Sequence, residues 1–454
     1  MRKNNMLTGS PIKTIVFFSL PIMLSSLLQY NYSLVDNIIV GRYVSTDALA
    51  AVGNVGPIGS FLIGAAFGLT SGFTIPVAHA FGAGDKRKLS HYAGNSITIS
   101  AIVGVAIIIV AHILTRPLLK AIGTPSEIID LSAAYMNILY FGVPFQMLSN
   151  NFTAISRAVG ESKKPLYFFI VSVIVNFVLD LLFVKNFKWG VEGAAWATLI
   201  ANAVAALLTG IYVIKYNKDV EIKKSDLKPN MATAWEQIKL GIPVSLQFTI
   251  TSIGSMCLQS AVNSFGANVI AGFTAAGRVE NLTNIPMSGL GVATQTFVGQ
   301  NYGARNYERI TKSVKKIFIA DIVVSVIMSL TLYLIGLPTV SLFMTEPNAA
   351  IMAAAKQYII ATAECYSLVA ILFVLRNTLQ GLGFTYSNMI AGAGEFFGRL
   401  AVAFVFTKII GFNAVCYAAP AAWLLADIPL AIIYLSKHKK FKALAAEQKA
   451  KSNM

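Results

Sequence analysis

Acidic residues are scarce in this chain: 20 Asp and Glu stand against 36 Lys and Arg in 454 residues. Charged residues of both signs make up only 12%, where a soluble domain carries about 25%. Hydrophobic residues make up 56%, and the mean hydropathy is +0.65. That shortage of charge excludes an ordinary water-soluble domain and points to lipid as the solvent. Cysteine is nearly absent. Cys257, Cys365 and Cys416 fall in apolar runs with no paired spacing, which excludes a disulfide framework and a zinc motif. His79, His91, His112 and His438 form no HExxH pair, and no GxSxG or GxGD-like context accompanies the acids. An intramembrane protease or acyltransferase therefore lacks its signature, and the chain reads as a non-enzyme without a cofactor.

What the chain has instead is apolar length. Runs of about 20 residues, long enough to cross roughly 30 Å of hydrocarbon, recur from end to end. Twelve are read, at about 14–40, 48–76, 91–115, 128–156, 165–187, 191–214, 237–264, 269–298, 314–337, 350–379, 387–410 and 412–435. The formal charge of +16 does not indicate a nucleic-acid partner, because its distribution alternates along the chain. Basic residues gather at the N-terminus (Arg2, Lys3, Lys13), in every second break between runs (Lys86 to Lys88, Lys163 and Lys164, Lys215 to Lys228, Arg305 to Lys316) and in the tail SKHKKFK. This positive-inside pattern predicts a multi-pass protein of the plasma membrane with both termini in the cytoplasm. The first run follows Met-Arg-Lys as a signal peptide does. It lacks a small-residue cleavage site and continues past Asp36, so it reads as a retained helix.

The two halves are related at a shift of about 221 residues, the mark of an internal repeat. HAFGAGDKRKL aligns with QNYGARNYERI, SLPIMLSSLLQ with LGIPVSLQFT, and AVGESKKP with GLGFTYSN, which sets Gly160 against Gly383. An even number of segments per half gives both copies one orientation. The expected fold is an all-α membrane protein of twelve transmembrane helices, in two six-helix bundles related by pseudo-two-fold symmetry. Its expected parts are an N-lobe at 1–214, a cytoplasmic linker at 215–232, a C-lobe at 233–436 and a basic tail at 437–454. Small residues every fourth position (Gly56, Ser60, Gly64, Gly68, Gly72) predict a ridge for close helix packing. Pro21 and Pro243 sit inside the first helix of each half, where proline removes a hydrogen bond and permits a hinge.

An ionised side chain at mid-bilayer costs about 2.5–3.5 kcal/mol on insertion scales, so each interior acid needs a reason. Asp36 shares a helix face with Tyr32 at i−4, and Gln29 lies two turns back. Asp180 projects with Asn176, also at i−4. With Thr198, and Asn202 one turn beyond it, these residues offer a mostly oxygen set. Hard cations such as Na⁺ prefer oxygen ligands, and a pair of buried carboxyls also takes up H⁺. No interior Lys or Arg lies in the N-terminal half to neutralise the acids, Lys185 standing at the very end of its run. The C-terminal half differs at the matching positions and carries Arg278 with Glu280, and Glu395 with Arg399 at i,i+4. That second pair reads as mutual neutralisation, with contact to a cationic substrate as the alternative. Asp321, Glu364 and Asp427 are interior acids to which the sequence assigns no role.

The segments SLVDNIIVGRYVSTDALAAVG, AFGAGD, RAVGESKKP, NFVLDLLFVKNFKWGVEGAAWATLIAN and VGQNYGARN resemble those of the multidrug and toxic compound extrusion (MATE) transporters. The likeness runs from Thr8 to Lys437. It implies two six-helix bundles around a central cleft, and export of organic cations in exchange for Na⁺ or H⁺. The prokaryotic branch of that family binds its cation through an aspartate on helix 1, Asn-x-x-x-Asp on helix 5 and a threonine on helix 6. Those types stand here as Asp36, Asn176, Asp180 and Thr198, while Glu280 and Glu395 match family positions only broadly. The expected partners are small organic cations and the lipid bilayer, and the carrier is expected to act as a monomer. With 28 Phe and 17 Tyr, cation–π contact suits such ligands. The rival reading, a lipid or lipid-linked sugar flippase, wants a basic cleft for phosphate, which the N-terminal half does not offer.

Overall fold

The computed structural model describes residues 6–121, 123–342 and 348–452, so Arg2 and Lys3 lie outside the described residues. Nearly all described residues are helical and none is in a strand. The solvent explains this: in hydrocarbon every backbone N–H and C=O must be satisfied, and a helix does so within one segment. The first half holds α1 (Pro11–Tyr43), α2 (Thr46–Phe73), α3 (Ile75–Gly82), α4 (Lys86–Ala121), α5 (Ile129–Ala158), α6 (Lys163–Asp180) and α7 (Gly190–Ile211). The second holds α8 (Met231–Asn263), α9 (Ala267–Gly303), α10 (Tyr307–Ser341), α11 (Ala349–Glu364), α12 (Tyr366–Gly381), α13 (Tyr386–Ala401), α14 (Thr407–Ile410), α15 (Phe412–Cys416) and α16 (Ala418–Ser452). Counting α2–α3, α11–α12, α13–α14 and α15–α16 as broken segments, these are the twelve expected helices. Among the described residues nine helices are long and apolar enough to span a membrane, or ten with the α11–α12 pair, bent by 53°, taken as one span.

The repeat is visible in backbone detail. Gly160 and Gly383, set against each other by the sequence, both turn the chain with φ of 84° and 85°, a left-handed conformation that favours glycine. Both fifth segments also close in a π-helical turn, Leu181–Asn186 after α6 and Val402–Phe406 after α13.

Contacts gather the described residues into two compact units, residues 24–245 in the first and residues 6–23 with 246–452 in the second. The division between these contact units falls inside α1 and α8. Each change of unit comes two residues past a helix-interior proline, after Met23 following Pro21 and after Ser245 following Pro243. Specific bonds account for it. In the first unit the linker and the start of α8 are tied to α4: Thr98 donates to the Leu227 carbonyl at 2.7 Å, and Asn95 accepts from the Asn230 N–H at 2.9 Å. Asn95 also donates to the buried Gln237 at 2.8 Å, which in turn donates to the carbonyls of Phe73 and Tyr92, each at 2.9 Å. In the second unit the Arg309 guanidinium on α10 donates to the carbonyls of Met6, Thr8 and Gly9 just ahead of α1, and Asn301 donates to Met6 at 3.1 Å.

The small-residue ridge on α2 serves the same exchange, though only at its end. A Cβ at Gly72 would lie 2.3 Å from the Gly241 Cα of α8, and one at Gly68 2.6 Å from the Ser245 Cα, whereas Gly56 meets nothing within 4 Å. Backbone touches backbone at Gly72, so Gly72→Val is expected to destabilise the protein by about 1–3 kcal/mol or more through overpacking. Gly56→Ala is expected to be neutral or slightly stabilising. Thermal unfolding in detergent measures both, and equal melting of the two variants would contradict the close packing.

Candidate functional site

The first unit brings four helices to one polar cluster. Asp36 lies near the end of α1, one turn after Tyr32. Asn176 and Asp180 occupy the last turn of α6, immediately ahead of its π-helical extension, a kind of irregularity frequent at functional sites. Thr198 comes from α7, and Tyr135 from the first turns of α5. The surroundings are apolar: Ile39, Val40, Tyr140, Val184, Val191 and Ala195 form one buried cluster around these helix ends.

The Asp36 and Asp180 carboxyls lie within hydrogen-bonding reach of each other. With its nitrogen facing them, the Asn176 amide donates to Asp36 at 3.1 Å and to Asp180 at 3.0 Å. The Tyr32 hydroxyl lies 3.2 Å from the Asn176 amide oxygen and 3.2 Å from Oγ1 of Thr198. Tyr135 stands close enough to interact electrostatically with both acids. Asp180 is fully buried and Asn176 nearly so, and Oδ1 of Asp180 has no hydrogen-bond partner. Among the described residues no Lys, Arg or His forms an ion pair with either acid. A hydrogen bond between two carboxyls needs one proton between them, so the geometry fits a pair that holds a single shared positive charge.

Gln29 is exposed on α1, and Asn202 packs against Gly142 of α5; neither forms a described hydrogen bond to the cluster. Pro21 is buried within α1, and Pro243 half-buried within α8. Glu280 lies in the second unit, where it accepts from the Tyr358 hydroxyl and from Asn284 at 3.3 Å. Glu395 is held by Arg399 at 3.3 Å and by Arg376, a residue the sequence reading missed. Arg278 lies on α9, two positions before Glu280. Glu364 accepts from the Tyr417 hydroxyl at 3.0 Å beside the α11–α12 break. Tyr135 was also missed, for its place in the cluster follows from how α5 packs on α7 and not from any spacing.

Comparison with known proteins agrees with the fold. A sequence model of the MatE family matches residues 21–182 and 243–433, one match in each half. Over 378 residues the chain is 28% identical to the probable multidrug resistance protein YoeA of Bacillus subtilis, covering 82% of this chain and 81% of that protein. It is 25% identical over 436 residues to the multidrug export protein MepA of Staphylococcus aureus, covering 95% of each. Among solved structures, a multidrug resistance MATE family transporter of the MOP superfamily in an outward-facing conformation matches with a TM-score of 0.89 and 25% identity. That match covers 98% of this chain and 99% of the other. A MATE protein in a bent conformation matches with a TM-score of 0.88, 25% identity and the same coverage. With its two halves each matched and its fold shared along nearly its whole length, the chain belongs to the MatE family, the multidrug and toxic compound extrusion transporters.

Proposed function

We propose that the protein is a secondary active antiporter that exports cationic, amphipathic compounds across the cytoplasmic membrane in exchange for Na⁺ or H⁺. Its family and the multidrug names of its relatives support drug export. The observation that carries the exchange is the joined pair Asp36 and Asp180, bridged by Asn176 in an apolar setting, with one carboxylate oxygen of Asp180 still without a partner. Such a pair binds a small cation, and each cation it takes up lowers its net negative charge by one. With the Asn176 nitrogen turned to the carboxyls, the arrangement suits a shared proton. A Na⁺ held there requires the Asn176 amide to turn its oxygen inward and draws the remaining ligands from Thr198 and the unpartnered oxygen of Asp180.

Exchange follows from linkage. The organic cation and the coupling ion favour different states of the carrier, so each lowers the affinity for the other. Asp36 and Pro21 share α1, and α1 changes unit between them, so a change of charge at Asp36 acts on a helix anchored in the second unit by Arg309. Pro21 and Pro243 are the proposed hinges. The acids with no basic partner favour a cationic cargo over the phosphate of a lipid or lipid-linked sugar.

Asp36→Asn is expected to insert normally and to lose ion-driven export, measured as efflux of a fluorescent organic cation from reconstituted vesicles under an imposed Na⁺ gradient and then an imposed H⁺ gradient. Wild-type export by that variant under either gradient would remove the mechanism. Tyr32→Phe keeps both acids and deletes the hydroxyl between Asn176 and Thr198. It is expected to weaken coupling-ion affinity by about 1 kcal/mol, roughly fivefold. The ion concentration giving half-maximal exchange reads this out, and an unchanged value would place Tyr32 outside the site.

A further inference from the structure

The second unit contains a separate charged network that the exchange mechanism does not use. Asp427 on α16 is 5% exposed, and neither of its carboxylate oxygens has a hydrogen-bond partner among the described residues. It lies nine positions into α16, about 14 Å along at 1.5 Å per residue, well inside the spanning region. Arg376 on α12 donates to Glu395 while its Nε–H has no partner, and its charge acts on Asp427. Arg399 holds the other oxygen of Glu395 at 3.3 Å, and its charge acts in turn on Glu280. The side chains of Glu395, Arg376 and Arg399 are only 5%, 12% and 11% exposed. The α13–α16 seam that sets Glu395 beside Asp427 is rigid, because a Cβ at Gly394 would lie 2.6 Å from the Leu425 carbonyl oxygen and one at Gly398 2.8 Å from the Ala422 Cα.

The network joins three acids (Glu280, Glu395, Asp427) and two arginines. Guanidinium groups stay charged at any working pH, so full ionisation leaves one uncompensated negative charge in the bilayer. Asp427 is the acid left without a bond. Arg376 and Glu395 are the charged groups that act on it. Helices α10, α11 and α15 also pack against α16, and none of their titratable groups acts on Asp427. Two guanidiniums close by repel a metal ion and leave the proton as the cation that fits.

We propose that Asp427, together with Arg376 and Glu395, forms a proton-binding site inside the second unit. In the arrangement seen, Asp427 holds its proton and Arg376 serves Glu395. Release of that proton to water leaves a carboxylate that draws the free Nε–H of Arg376 toward itself. Glu395 then depends on Arg399, whose hold on Glu280 weakens, so the protonation of α16 is felt on α9. The coupling needs no movement of a helix, only a change of partner by one guanidinium.

Infrared spectroscopy of the full chain in lipid tests this, because a protonated carboxyl has a carbonyl band that a carboxylate lacks. The parent carries Asp36→Asn and Asp180→Asn, which silences the first unit's pair and makes the result independent of the antiport reading. The expected result is a carbonyl band that fades as pH rises and loses one group per chain in Asp427→Asn. Asp427→Glu should keep the band with a displaced midpoint, and this arm carries the test if the Asn variant does not insert. Added Na⁺ at fixed pH should leave the band unchanged. An Asp427→Asn spectrum identical to the parent, an Asp427 band that persists at every pH, an undisplaced Glu midpoint, or loss of the band on adding Na⁺ would each overturn the assignment.

Discussion

The cost of an ionised group in hydrocarbon governs this protein more than any single contact. At about 2.5–3.5 kcal/mol on insertion scales, an unpaired charge inside the bilayer is tolerated only where it is neutralised, bonded or used. The two units meet that constraint in opposite ways. The first has, among the described residues, no basic partner for Asp36 and Asp180 and sets the acids against each other and Asn176. The second sets guanidiniums against its acids, with Glu395 shared between Arg376 and Arg399. A repeat that began as one plan has come to set acids beside one another in one unit and acids against fixed cations in the other.

That division bears on what each centre can exchange. A carboxyl pair with no resident cation changes its net charge by one whenever an ion enters, and an apolar wall makes the change costly to ignore. Glu395 already has its cations, so it has little affinity to offer an organic one. The buried Asp321 falls in neither group: among the described residues both its oxygens are without hydrogen bonds.

The fold was legible because hydrocarbon thickness imposes a length on every helix and water imposes polar residues on every break, both visible as simple periodicity. Asp36, Asn176 and Asp180 stood out for the same reason, as rare polar residues at i,i+4 spacing in apolar runs. What could not be read depends on pairs far apart in the chain. Arg376 sits near the end of an apolar run and looks like a flanking residue; its partner Glu395 is on the next segment, 19 positions away. Tyr135 joins the cluster through packing between α5 and its neighbours. The division of the units inside α1 and α8 rests on Gln237, Arg309 and Gly72, residues whose identities suit many other roles.

On the proposed exchange, the helix halves that change unit would give the Asp36 cluster its mechanical reach. α1 runs unbroken from Pro11 to Tyr43, so the end that carries Asp36 and the end tied down by Arg309 are parts of one hydrogen-bonded rod. A rod passes on a displacement unless something in it yields, and Pro21 has no N–H to bond the preceding turn. It stands two residues from the point where α1 changes unit, so any strain that neutralisation of Asp36 creates would concentrate there. α8 repeats the arrangement with Pro243 but has no acid at the position equivalent to Asp36, where the buried Leu258 lies. On the proposed exchange α1 would respond to the coupling ion directly, and α8 to whatever moves the helices it is packed against.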